Sequence, residues 1–286
     1  MSVIDPEVFL AIEDLELAGR GLADAVLHGQ HPSLLRGPGV EFHSHRDYYA
    51  GDDLRRVNWS IFARHRRLCT RESRAESRRP VYLMLDASAS MAIDHGPWSK
   101  LRYGTRVLAG AAHLARRQGD APALRVLGEK PAALPPRSSP DHVAGICVAL
   151  SEASATGATD MAGTLLASRS FCRQRGFILF VSDFLAGEDA TLAELAAYRA
   201  QGHDVFALQV LDPLETELPG TGDFDFTEPE TNTRIRTAVE PIRSAYARRV
   251  ADWRTMLRHQ AESADIRWHS ITTAASLVGT LQAWLA

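Results

Sequence analysis

From residue 79 to the carboxyl end, short apolar runs alternate with longer stretches in which apolar residues recur at helical spacing. The clearest run is Val81-Tyr-Leu-Met-Leu85, apolar at every position and closed by Asp86-Ala-Ser-Ala-Ser90. A run of that kind predicts a strand buried on both faces, as in the interior of a parallel sheet. Residues 99–118 then repeat Leu101, Leu108, Ala111, Ala112 and Ala115 on one helical face, and Gly119-Asp120 stops the pattern. Residues 123–128 predict a second strand; the proline-punctuated stretch 130–137 admits only an edge strand or a loop.

The rhythm continues to the end of the chain. Ser139-Pro140 caps a helix with inner face Val143, Ile146, Cys147 and Leu150, and residues 151–160 are a small polar loop. Asp160 is placed to cap a helix running to Arg173. Residues 176–182 predict another buried strand, ending on Asp183. A helix over 189–201 and a strand over 205–210 follow. Residues 211–237, rich in Asp, Glu, Pro and Gly, read as an acidic excursion containing a hairpin. Val239, Ile242, Tyr246, Trp253 and Leu257 mark a long amphipathic helix, residues 266–271 a last strand, and Leu277, Leu281, Trp284 and Leu285 a closing helix. Alternating strands and helices predict an α/β fold: a doubly wound, mostly parallel, Rossmann-like sheet over residues 80–286.

Residues 1–79 read as a smaller N-terminal appendage. Phe9, Ile12, Leu15, Leu22 and Val26 lie at helical spacing, and Gly19 and Gly21 predict a division into two short helices. After a Pro- and Gly-rich loop at 31–39, the charge pattern becomes unusual. Nine arginines stand against Glu72 and Glu76 from Arg55 to Arg79, about +7, while the chain as a whole carries −3. A segregated basic region is a docking surface for something acidic, or else its arginines pair internally with Asp47, Asp52 and Asp53. Nucleic acid is one candidate partner, with Tyr48, Trp59 and Phe62 available to stack on bases. His43 and His45 have metal-ligand spacing without a third ligand, so a structural or solvent role is expected of them.

Composition changes the picture little. The chain of 286 residues is 45% hydrophobic and 23% charged, ordinary globular material. It has no apolar stretch of membrane-spanning length and no signal-peptide pattern at its start, from which a cytoplasmic location is expected. Cys69, Cys147 and Cys172 are odd in number and widely spaced, which suggests neither a disulfide framework nor a zinc site.

The candidate chemistry lies where two strands end. Asp86, Ser88 and Ser90, at i, i+2 and i+4, leave an extended segment on one side. A carboxylate with two hydroxyls is a hard-oxygen set suited to Mg²⁺, Mn²⁺ or Ca²⁺. Asp183 arrives at the same sheet edge, and Thr159 sits on the loop between the two strands.

Asp86-Ala-Ser-Ala-Ser90, Thr159 and Asp183 together resemble the metal-ion-dependent adhesion site of von Willebrand factor type A domains. Arg46-Asp-Tyr-Tyr-Ala-Gly-Asp52-Asp53-Leu-Arg55-Arg56-Val-Asn-Trp59, with Ala63-Arg64, is similar to the signature of a bacterial family known as domain of unknown function 58. Leu208-Gln-Val-Leu-Asp-Pro-Leu-Glu215 and Glu228-Pro-Glu-Thr231 are similar to it as well. Asn58 stands where that family commonly has aspartate, and Asp47 where glutamate is usual. The resemblance implies a von Willebrand factor type A-like domain that acts as a non-catalytic adapter. Its divalent cation, Mg²⁺ or else Mn²⁺ or Ca²⁺, would be held by Asp86, Ser88, Ser90, Thr159 and Asp183, and an acidic residue of the partner would complete its coordination. A MoxR-type AAA+ ATPase and a client protein are the implied partners, with Asp52, Asp53, Arg55, Arg56, Trp59 and Arg64 as a second docking surface, expected beside the metal edge. Two alternatives are a nucleic-acid binder using the arginines and a metal-dependent phosphoesterase with Arg55, Arg56 or Arg64 gripping phosphate. No general base, GxSxG or P-loop accompanies the site.

Overall fold

A computed structural model describes residues 13–29, 45–47, 69–71, 79–95, 98–218, 220–227 and 233–286. In chain order these hold α1 (Leu15–Gly29), β1 (His45–Asp47), β2 (Cys69–Arg71), β3 (Pro80–Asp86), a 3₁₀ turn (Ala89–Ala92), α2 (Lys100–Arg117), β4 (Ala121–Leu127) and β5 (Ala132–Leu134). They continue with α3 (Pro140–Ser151), α4 (Met161–Ser168), β6 (Phe177–Ser182), α5 (Glu188–Ala200), β7 (Asp204–Leu211) and α6 (Pro213–Thr216). The last elements are β8 (Asp223–Thr227), β9 (Arg234–Ala238), α7 (Arg243–Ser263), β10 (Arg267–Thr272) and α8 (Leu277–Leu285).

The main sheet has six strands in the order β10-β7-β6-β3-β4-β5, all parallel except the edge strand β5. β3 is central because it is apolar on both faces. Val81, Leu83 and Leu85 join a core shared with α1, α2, α3 and α8, whereas Tyr82 and Met84 join another shared with α4, α5 and α7. The proline-punctuated edge strand, the caps Ser139 and Asp160, and the hairpin β8–β9 all appear where the sequence predicts them.

Two expectations fail. The helical pattern does not break at Gly19 and Gly21: α1 runs through both, with Gly19 lying against α2, while Phe9 and Ile12 lie outside the described residues. A Cβ on Gly19 would stand 2.9 Å from the carbonyl carbon and Cβ of Ala109. The glycine serves a close helix crossing, which outweighs its cost of about 1 kcal/mol within a helix. Leu15, Ala18, Leu22, Ala23 and Val26 of α1 are buried, and this helix belongs to the same compact unit as residues 79–286. The helix expected to reach Arg173 ends at Ser168, where Phe171 N–H and Cys172 N–H both bond the Ser168 carbonyl in tightened turns.

Residues 30–78 form a second compact unit, in which β1 and β2 pair antiparallel. Asp52, Asp53, Arg55, Arg56, Trp59 and Arg64 lie outside the described residues, as does the expected packing of that segment beside the metal edge.

Candidate metal centre

Numbering the strands of the main sheet in chain order, with β3 as the first, gives the sheet order 3-2-1-4-5-6, which reverses direction between β3 and β6. Connections leave these two strands toward opposite sides, opening a crevice at their carboxyl ends where open α/β sheets bind ligands. β3 ends on Asp86 and β6 is followed at once by Asp183, so both predicted carboxylates arrive there, 3% and 2% exposed respectively.

Asp86 is held from two directions. Its Oδ1 accepts the Ser88 backbone N–H at 2.8 Å, and its Oδ2 accepts the Ser182 hydroxyl at 2.6 Å. The first bond curls the chain so that Ser88 and Ser90, both buried, bring their hydroxyls within 3.1 Å of each other. Burial, and next to it the negative charge of Asp183, push the Asp86 carboxyl up to about 6, while the bonds from Ser182 and Ser88 oppose the rise.

The Thr159 loop is stitched to the same segment. Ala89 N–H, between the two serines, bonds the Gly157 carbonyl at 2.9 Å, and Thr156 N–H bonds the Ala87 carbonyl at 3.2 Å. Gly157 takes a left-handed φ of 69°, which favours glycine there. Three hydroxyls of the loop, Ser154, Thr156 and Thr159, are shut off from solvent and have no hydrogen-bond partner among the described residues. An orphaned buried hydroxyl is costly and suits a site that a cation completes.

Asp183 is more heavily engaged than expected. Its Oδ1 accepts the Leu185 N–H at 3.1 Å, its carbonyl accepts Gln209 Nε2 at 3.2 Å, and its Oδ2 lies 2.7 Å from the ammonium of Lys100. Phe184 between them has φ 59°, rare for an aromatic residue, and is held there by the Ser182 hydroxyl on its N–H and by ring contacts with Phe180 and Trp268. Lys100 is fully buried and also bonds Glu215 Oε1 at 2.6 Å. Glu215 completes a capping box with Asp212 at α6; burial raises its carboxyl and the lysine opposes that.

Sequence reasoning missed Ser182, Lys100 and Glu215. The Asp212-Pro-Leu-Glu215 spacing is a readable capping box, but nothing in a first-turn lysine signals burial. Among the described residues no three His, Cys, Asp or Glu side chains cluster as a metal site. The candidate centre has two such carboxylates, and its remaining donors are hydroxyls. An all-oxygen set of this kind fits a hard divalent cation.

The sheet order, its antiparallel edge strand and the Asp-x-Ser-x-Ser turn after the first strand of the sheet define a von Willebrand factor type A-like domain. An aerotolerance-related membrane protein from Bacteroides fragilis shares this fold, with a TM-score of 0.50, 20% identity and coverage of 72% of this chain and 96% of that one. BatB from Bacteroides thetaiotaomicron aligns at TM-score 0.49 (20% identity, 71% and 95% covered), and the SpRpn10 VWA domain at 0.42 (10% identity, 71% and 93% covered). The chain belongs to the family described as protein of unknown function DUF58, whose model matches residues 44–256. An uncharacterised protein of Mycobacterium tuberculosis strain H37Rv is 33% identical over 254 residues, spanning 86% of this chain and 79% of that one; one of Mycobacterium bovis matches equally. Among the described residues no helix is long and apolar enough to cross a membrane.

Proposed function

We propose that this protein is a non-catalytic adapter that binds partner proteins through a divalent cation, Mg²⁺ in the first instance, at the carboxyl edge of β3 and β6. One observation carries the reading: the adjacent parallel strands β3 and β6 deliver two buried carboxylates, Asp86 and Asp183, to one sheet edge, where the buried Ser88 and Ser90 hydroxyls follow and the loop carrying Thr159, whose hydroxyl has no hydrogen-bond partner among the described residues, is tied to the serine segment. Lys100 offsets only part of this negative charge, because its ammonium is shared with Glu215, and the group is under-satisfied without a further cation. Asp86, Ser88, Ser90, Thr159 and Asp183 would hold the ion, directly or through water. When bound, a divalent cation supplies a short, directional contact to an acidic side chain of the partner.

The protein's own residues shape that contact. Ser182 and the Ser88 N–H aim Asp86, and the Gly157–Ala89 bond keeps the Thr159 loop against the serines. The hydroxyls of Ser88 and Ser90 bond one another, which keeps both donors together at the strand end. The family resemblance makes a MoxR-type AAA+ ATPase and its client the partners to look for, and the role one of assembly or maturation of other proteins.

The test is affinity capture of the tagged protein from its own cells in Mg²⁺ and in EDTA, with Asp86→Ala alongside and partners read by mass spectrometry. An AAA+ ATPase or client retained only with Mg²⁺ and intact Asp86 supports the adapter. Partners that persist in EDTA and in the variant refute metal-dependent recognition.

A further inference from the structure

Lys100 is the most unusual side chain of the site. It is the first residue of α2, and its ammonium has no solvent exposure. An unpaired ammonium so placed would cost several kcal/mol; this one is held between Asp183 Oδ2 at 2.7 Å and Glu215 Oε1 at 2.6 Å. Both carboxylates are fixed from behind, Asp183 by the Leu185 N–H and Glu215 by the Asp212 N–H at 2.7 Å. One positive charge is therefore shared between two carboxylates, only one of which belongs to the predicted ligand set.

From this geometry we infer that Lys100 is a positioning residue that sets how much negative charge the centre presents to its cation. It holds Asp183 by one oxygen and neutralises part of its charge, so that among the described residues Asp86 is the carboxylate of the centre with no cationic partner. Glu215 tunes the effect by drawing part of the ammonium's charge away from Asp183. A cation held by one full and one partly neutralised carboxylate keeps more of its positive charge, and so keeps its affinity for an acidic group brought by a partner. Affinity for the ion is traded for affinity for the partner. This inference rests on the cation reading above.

Charge arithmetic gives the two ends of the bridge opposite effects on cation affinity. Loss of the ammonium removes a nearby repulsion and frees Asp183; loss of the Glu215 charge directs the whole ammonium onto Asp183. A structural ion pair would behave differently, since breaking either end would loosen the site and weaken binding in both cases.

The experiment titrates Mn²⁺ alone into the full chain and follows free Mn²⁺ by electron paramagnetic resonance, with urea unfolding in EDTA as a parallel readout. Lys100→Met is expected to bind Mn²⁺ about tenfold more tightly than wild type, and Glu215→Gln about threefold more weakly, as expected for a unit charge added or withdrawn several ångströms away. Both variants are expected to unfold at lower urea than wild type. If Lys100→Met does not fold, the double variant Lys100→Met/Glu215→Gln takes its place, with tighter binding still expected. Equal affinities, or weaker binding by both variants, would overturn the role of Lys100 while leaving the cation reading intact. Failure of the wild type to bind Mn²⁺ overturns the cation reading, and this inference with it.

Discussion

Asp86→Asn isolates the central charge of the proposed centre. In the folded protein the Asp86 carboxyl holds its proton up to about pH 6, against an ordinary value of 3.8. The folded state therefore binds more protons than the unfolded chain between those values, and stability falls as pH rises through that window. Above it, the ionised carboxylate costs about 3 kcal/mol in the metal-free protein. Asparagine removes the charge. It keeps one acceptor for the Ser88 N–H but strands the Ser182 hydroxyl that Asp86 Oδ2 accepts, a loss of about 1 kcal/mol. Metal-free Asp86→Asn is therefore expected to be about 1–2 kcal/mol more stable than wild type at pH 7.5. At pH 5 the cost of the charge has dropped to about half, and most of that advantage is gone. Urea unfolding in EDTA at both pH values measures the difference. Saturating Mg²⁺ should reverse the order at pH 7.5, since binding stabilises only the protein that keeps the carboxylate. A variant no more stable than wild type in EDTA at pH 7.5 would refute the claim that this carboxylate is an uncompensated charge awaiting a cation.

Thr159→Val, which removes an orphaned hydroxyl at nearly constant shape, should leave stability in EDTA within about 0.5 kcal/mol of wild type and weaken Mg²⁺ or Mn²⁺ binding by calorimetry; unchanged affinity would remove Thr159 from the ligand set. Gly19→Ala should destabilise the protein by about 1–3 kcal/mol, because the new Cβ meets the backbone of Ala109. Gly110→Ala should cost less, its nearest obstacle at 2.7 Å being the movable Leu281 Cδ1; equal or reversed losses in thermal unfolding would contradict the close α1–α2 crossing. Burial pushes the Cys147 and Cys172 thiols up to about 12, so a Cys69→Ser variant should show no fast reaction with an aromatic disulfide reagent until it is unfolded.

The strands and helices of residues 79–286 were legible because each carries its own periodicity. An unbroken apolar run such as Val81–Leu85 fits only a doubly covered strand, and helices such as those begun by Ser139 and Asp160 announce themselves by capping residue and buried face. The candidate edge was legible for a related reason: a polar residue directly after an apolar strand has one place to go, the strand's carboxyl end. Asp86, Ser88, Ser90 and Asp183 could thus be named before any coordinates. Gly19 was misread because a glycine that breaks a helix and one that admits a neighbouring helix look alike in sequence; only the approach of Ala109 separates them. The roles of Ser182 and Lys100, and the pairing of Lys100 with Glu215, were invisible for a deeper reason. The burial of a charge depends on which distant residues meet it, and Lys100 meets Asp183 and Glu215 from 83 and 115 positions away. Local pattern determined which elements form and where the oxygen donors emerge. Tertiary packing decided what surrounds those donors, because electrostatic partnership acts through space and leaves no period in the chain.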